Sequence, residues 1–457
     1  MKNKLNRNII PPVSKPKDIK FPEYRKLIIH GEGSAYVITD RRFPVVTFRI
    51  IFKTGSIFDR LKDNKSDGLS NFMFEMLTKG TNKRTAAEIS YIIDSFGASI
   101  TTGSDYDYNY ITFHCLKKYF GSMMELVSDI ISSPAFSDDE IERMQLQKIN
   151  YIYSLMDSGD YLASKLYKKM LYGDSQYSVN IEGTLDSIPG INKEKLNYAY
   201  ENFLLDSHTA LCFIGDIDEE EVFRIIENDN FKKGKEKTGE IKINPQPEIN
   251  KTKVYIVERK SAVQSDIIAG SRAIMRNHPD FIPLKMMNTV LGGSFTSRIN
   301  TNLREVNGYT YGAKSLLNTK KYQGDFFVET NVKNDLTGEA LKEIINEMKR
   351  MQDEPVGEKE LESVKNYITG TYPMQLETPN SIASKVLGLD LFDIDAQFYN
   401  TYISKINEVT PQSIQQAARK YLMPDKLVIS VCGNPDDIKA SLRKSIPDVE
   451  IIEQQNL

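Results

Sequence analysis

The chain has 457 residues, 40% of them hydrophobic and 26% charged, and carries a formal net charge of −3. That length accommodates about two to four domains with sizeable cores, and the composition is that of an ordinary folded chain, not a disordered one. The charge gives no reason to expect nucleic acid or an anionic lipid surface as a partner. No stretch approaches the roughly 20 apolar residues that a membrane helix needs, and the basic start lacks an apolar run of signal-peptide length, so the expectation is a cytoplasmic protein without membrane insertion. Cys115, Cys212 and Cys432 are odd in number and lie in apolar strand-like runs, which points to buried thiols in a reducing compartment.

Residues 1–22, with Pro11, Pro12, Pro16 and Pro22, read as an extended arm. Two strand-like runs follow at 35–39 and 45–53, and Gly55-Ser56 closes the second. In residues 66–80, Leu69, Phe72, Met73, Met76 and Leu77 recur at three- and four-residue intervals and form one apolar stripe of a helix. Asn71 and Glu75, four apart, share the opposite side, with Phe74 beside them. Phe74 is therefore expected to project away from the core and to pack on a peptide or a partner chain.

Thr85 and Glu88 have the spacing of a capping box for the next helix, which Gly97 stops. Residues 99–116 alternate as a hairpin, with Tyr106, Tyr108 and Tyr110 on one face. A second capping box, Ser137 with Glu140, is expected to open a long helix running to about residue 156.

The strongest organising signal is a repeat. Residues 191–218 and 409–436 superimpose without a gap: a helix capped by Asn192 or Thr410, then Phe203-Leu204 or Tyr421-Leu422, a buried strand, Gly215 or Gly433, and an acidic turn. A duplicated half-molecule explains this. Between the copies, 231–253 is rich in Lys, Glu, Gly and Pro and reads as a solvated linker. The second half then predicts strands at 254–258 and 265–272, helices at 281–291 and about 295–304, a strand pair within 310–332, and mainly helix from 336 to 422. The predicted fold is α+β, with two homologous halves, each a mixed, mainly antiparallel sheet packed with helices. The divisions are an arm (1–22), an N-terminal domain (23–232), a linker (233–252) and a C-terminal domain (253–457).

Two stretches carry a resemblance. The first helix is entered through Asp67-Gly68-Leu69 and left through Leu77, Lys79, Gly80 and Thr81; the second stretch holds Gly292, Gly293, Ser297, Arg298, Leu303, Arg304, Glu305, Gly308 and Tyr311. Together with the duplication they resemble the pitrilysin/insulinase family of zinc metallopeptidases, over about residues 25 to 445. That family has His-x-x-Glu-His on the first helix, two ligands flanking a general base. Here the three positions are Asn71, Phe74 and Glu75. An amide oxygen is a weak donor, a phenyl ring accepts no proton from water, and one carboxylate does not hold zinc. The family's third ligand is a glutamate in the long helix. Residues 143–156 contain no acidic residue, and the ligand position falls near Asn150 or Tyr151. His30, His114, His208 and His278 show no ligand spacing, and His114 is read as a structural residue.

What the resemblance implies is a chain that has lost its metal and kept another part of the machinery. Some members divide the work between two similar chains, one with the zinc triad and one without. This sequence looks like the second type. Arg304 and Tyr311 would then bind substrate peptide and stabilise the oxyanion in the transition state, acting on a reaction whose zinc is held by the partner subunit of a heterodimer. No metal and no cofactor are expected in this chain itself. Lys314 and Tyr309 are given no role, and the short Gly292-Gly293 segment is not the long glycine-rich loop of some non-catalytic subunits. The alternatives are a structural or assembly subunit, and a homodimeric protein that binds peptides without cutting them.

Overall fold

The computed structural model describes residues 19–29, 33–60, 65–205, 207–228 and 241–454. Most of the predicted arm, the first part of the linker (233–240) and His30 lie outside the described residues. Among the described residues twelve strands form two six-stranded sheets. The first is built from β1 (Arg25–Ile29), β2 (Gly33–Thr39), β3 (Val45–Phe52), β4 (Ser99–Ser104), β5 (Asn109–Leu116) and β6 (Thr209–Gly215). The second is built from β7 (Lys253–Glu258), β8 (Gln264–Ala273), β9 (Ala313–Thr319), β10 (Gly324–Lys333), β11 (Val428–Gly433) and β12 (Glu450–Gln454).

The strand orders are β1-β2-β6-β3-β5-β4 and β12-β7-β11-β8-β10-β9, so five strands of each sheet correspond one to one. Only the outer edge differs. β1 enters from before β2 and pairs with it antiparallel, whereas β12 comes from the C-terminus and lies parallel to β7. β2–β6 and β7–β11 are the other parallel pairs, and the remaining pairings are antiparallel. The duplication expected from the repeat is thus the architecture, and both copies of the repeat fold alike: Asn192 caps the Lys193–Ala199 helix and Thr410 caps the Pro411–Tyr421 helix, each leading to a strand that is buried almost throughout.

Each half lends a helix to the other's sheet. The Gly159–Tyr172 helix packs on β8 and β11, with the Tyr167 ring 5.6 Å from that of Phe327 and the Tyr172 hydroxyl donating to Asp325 at 2.8 Å. Reciprocally, the Pro379–Leu391 helix lies on β3 and β6, burying Ile382, Ala383, Val386 and Leu387 against Tyr36, Ile38, Ile51 and Cys212. Both sheets are thereby covered on two faces, which accounts for strands as uniformly apolar as β6 and β11. The three cysteines are free and buried, as expected. Among the described residues no helix is long and apolar enough to cross a membrane.

Three local expectations need correction. Thr85 and Glu88 form their capping box, but Ser137 makes no capping bond at the start of the Asp138–Met156 helix. Glu140 turns instead to Arg143, whose guanidinium offers a charged donor at 3.0 Å where the Ser137 backbone offers a neutral one. Tyr108 and Tyr110 are neighbours, ring centroids 6.1 Å apart, but Tyr106 lies in the turn before β5 and joins Tyr177 between the halves. The helix expected at about 295–304 is a single turn, Arg298–Asn300, followed by a π-helical segment, Thr301–Val306.

Candidate functional site: a lysine in the degenerate zinc motif and an adjoining cleft

The helix that carries the degenerate motif, Leu69–Met76, is short and enclosed; of its residues only Glu75 is not buried. Gly68 precedes it with φ +83, and Gly183 (φ +85) lies directly against it: a Cβ on Gly68 would stand 2.6 Å from Gly183 Cα. Two glycines in the left-handed region are what let the 180–184 loop approach this closely. Asp59 closes the helix start, accepting from the backbone N–H of Gly68 (3.0 Å) and of Ser70 (2.9 Å), and burial pushes its carboxyl up to about 8. Arg60 and Asp67 form a two-pronged ion pair at 2.5 and 2.7 Å, and Asp67 also accepts from the Asn180 N–H. The loop is fixed to the helix by these bonds.

The fixed loop delivers Glu182. Its Oε2 accepts from Asn71 Nδ2 at 3.2 Å and from Lys148 Nζ at 3.1 Å, and the same ammonium reaches Glu75 Oε1 at 2.6 Å. The Lys148 side chain, on the long helix, is only 7% exposed. An ammonium therefore sits between the carboxylates of Glu75 and Glu182, with Asn71 completing the set. Neither Asn150 nor Tyr151, where the third ligand position was expected, takes part; both point outward from the helix. Lys148 and Glu182 were not legible as site residues.

Phe74 also departs from expectation. It is 0% exposed and packs on Phe52, with ring centroids 5.3 Å apart. With a carboxylate at this position the side chain would have to stay near polar groups. A phenyl ring gains by withdrawing into the core, and here it does.

Zinc does not fit this donor set. There is no imidazole, the amide and the carboxylates are already engaged, and a positive charge occupies the position between them. Among the described residues no three His, Cys, Asp or Glu side chains are grouped to hold a metal ion.

A cleft of about 1130 Å³ adjoins the motif. The helix bearing Lys148 runs on to Leu155 at the cleft wall, two turns or about 10 Å further along. Tyr161 lines the cleft too, and its phenol is raised by burial and, to a lesser degree, by the charges of neighbours that include Glu182. The floor is made by β8, β9 and β10, and the far wall by Phe295 and Tyr311.

Tyr311 is 92% exposed. The Arg304 guanidinium lies 4.6 Å from the centre of the Phe295 ring, on its face, with Nη1 3.3 Å from Glu305 and in no hydrogen bond. Arg304 sits in the π-helical segment and Gly308 (φ +65) turns the chain back toward Tyr311. The segment is anchored at both ends: Arg298 grips Glu360 at 2.9 and 2.8 Å, and Asn300 accepts the Ala313 N–H at 3.0 Å. Arg304 thus stacks on Phe295, and Phe295 and Tyr311 both line the cleft.

Comparison with known proteins agrees with this picture. Residues 36–183 match the family model "Insulinase (Peptidase family M16)" and residues 190–368 match "Peptidase M16 inactive domain". Among curated relatives, the chain is 23% identical over 380 residues to the "Uncharacterized zinc protease YmxG" of Bacillus subtilis, covering 80% of this chain and 89% of the relative. It is 20% identical over 395 residues to the "Non-peptidase homolog YmxG" of Helicobacter pylori, covering 86% and 89%. Among solved structures, a peptidase M16 inactive domain from Pseudomonas fluorescens superimposes with a TM-score of 0.82 at 21% identity, covering 90% of this chain and 98% of that one. The two family models together span well over half of the 457 residues, and the chain belongs to the M16, or insulinase, family of peptidases.

Proposed function

We propose that this protein is the non-zinc subunit of a heterodimeric M16 metalloendopeptidase. In this reading it binds extended peptide and offers Arg304 and Tyr311 to a reaction carried out with a zinc-bearing partner. The observation that carries the reading is the Lys148 ammonium held by Glu75 and Glu182, which stands where a metal and its activated water would be needed. Zinc, and the water it activates, belong to the partner. In this reading the chain contributes the guanidinium donors of Arg304, stacked behind Phe295, and the exposed phenol of Tyr311 at the cleft, both suited to the carbonyl oxygen as it gains charge. The partly aromatic walls, Tyr161, Phe295 and Tyr311, suit an extended chain with apolar side groups.

A second reading, a peptide-binding or assembly protein with no part in hydrolysis, draws on the name of the Helicobacter pylori relative and on the same cleft. The two separate on one experiment. The isolated chain, dialysed against zinc, is analysed for bound metal and for peptidase activity, and is then co-expressed with an M16 chain that has the intact His-x-x-Glu-His. The expected outcome is less than stoichiometric zinc and no turnover alone, and a peptide-cleaving heterodimer together. A stable pair whose turnover is no greater than that of the zinc-bearing chain alone favours the second reading, and zinc-dependent hydrolysis by the isolated chain overturns both.

A further inference from the structure

Away from the cleft, three cations share one aromatic wall, and among the described residues none of them has an ion pair. Arg276 follows β8, Lys285 lies on the Phe281–Leu291 helix and Lys385 on the Pro379–Leu391 helix. The Arg276 guanidinium is 3.9 Å from the centre of the Phe281 ring and 5.0 Å from that of Phe398. Lys285 Nζ is 5.2 Å from the Tyr402 ring, and Lys385 Nζ is 5.4 Å from the Tyr399 ring. These rings touch one another, Phe398 lying 5.2 Å from Tyr399 and 5.8 Å from Tyr402, so one aromatic wall carries all three charges.

Several other sheltered cations have carboxylates: Lys148 has Glu75 and Glu182, Arg60 has Asp67, and Lys320 has Asp325; Arg49 and Lys168 each rest singly on a ring, Tyr110 and Tyr106. Among the described residues, Arg276, Lys285 and Lys385 make no ion pair; Lys385 donates to Gln375 at 3.0 Å. Burial lowers the Lys285 ammonium to about 8, and Lys385 and Arg276 add to the effect. Ring faces attract cations but leave the net charge in place. Three like charges in a region of low dielectric repel one another strongly, and the arrangement is costly unless something negative joins it.

We propose that Arg276, Lys285 and Lys385, with the hydroxyls of Tyr399 and Tyr402, form a binding site for a compact multivalent oxyanion of the phosphate class, taken as free phosphate or as a phosphomonoester. The guanidinium supplies a two-pronged grip, the ammoniums supply point charges, and the phenols donate to the remaining oxygens. Arg276, with Phe281 and Phe398 of the aromatic wall, also lines a groove of about 510 Å³. Its rim carries Asp393, Asp395 and Glu408, so a ligand with a second anionic group reaching into the groove is disfavoured.

The test is titration calorimetry of the full chain with inorganic phosphate and, separately, with glycerol phosphate, at constant ionic strength set with chloride. Saturable binding is expected, weakened about tenfold or more by Lys285→Met and by Lys385→Gln. Equal affinity for the two anions assigns the site to free phosphate, and a tighter ester assigns it to a phosphomonoester. A thermal-melt series gives a second readout: phosphate raises the melting temperature of the wild-type chain and leaves that of Lys285→Met unchanged. Absence of saturable binding of either anion by the folded wild-type chain up to about 10 mM overturns the proposal. So does binding that both variants retain in full.

Discussion

Lys148 Nζ lies 2.6 Å from Glu75 Oε1, across a separation of 73 residues, and this contact joins the long helix to the helix that would hold zinc in an active relative. The ammonium does mechanically what a metal would do there: it ties two helices and a loop together. It does so without an open coordination position, so no water is polarised.

Replacing Lys148 with Met is expected to destabilise the chain by about 2 kcal/mol, the cost of leaving Glu75 and Glu182 facing each other, moderated because each carboxylate is about one-third exposed. Urea denaturation measures it. A double-mutant cycle with Glu75→Gln is expected to show a coupling of about 1 kcal/mol, and additive effects would mean that the contact contributes nothing.

Phe74 is a core residue here, so Phe74→Ala opens a cavity beside Phe52 and is expected to cost about 3 to 5 kcal/mol. Peptide affinity of the fraction that stays folded should match the wild type. A stable Phe74→Ala chain with impaired peptide binding would restore the chamber-facing role that its place in the motif suggests.

In the heterodimer proposed above, Arg304→Ala in this chain is expected to lower kcat by about 100-fold with little change in KM, the pattern of a donor used only as the oxyanion forms. Tyr311→Phe removes the hydroxyl and keeps the ring, and about a tenfold loss is expected. Initial-rate kinetics of the reconstituted pair decide this; an unchanged kcat in both variants removes these residues from the reaction.

Asp107 joins the halves, accepting from the Tyr177 hydroxyl at 2.6 Å and from the Lys321 N–H at 2.8 Å. Burial pushes its carboxyl up to about 6, against an ordinary 3.8. Between those values the folded chain keeps a proton that the unfolded chain has released, so this group's contribution to stability is greatest below pH 4, falls as pH rises to about 6, and is level above that. The loss is on the order of 3 kcal/mol. Urea midpoints measured from pH 4 to 7 should show this slope, and Asp107→Asn, which can accept from Lys321 and donate to Tyr177, should remove it; identical slopes in the two proteins would refute the assignment.

Sequence alone determined a good deal. The two copies of the repeat fixed the duplication, because a capped helix followed by an apolar strand and a glycine is a local pattern set by backbone geometry and by burial of the strand on both faces. The replacement of the family's His-x-x-Glu-His donors was equally legible at Asn71, Phe74 and Glu75, since ligand chemistry depends on residue type before it depends on position. Tertiary structure alone decided what fills that site. Lys148 and Glu182 lie 34 residues apart, and Glu182 lies 111 from Asn71; only the close approach of Gly68 and Gly183 brings them together. The exchange of the Gly159–Tyr172 and Pro379–Leu391 helices between sheets was hidden for the same reason. A periodic apolar stripe says that a helix must be covered, and only the packing of the whole chain says by which sheet.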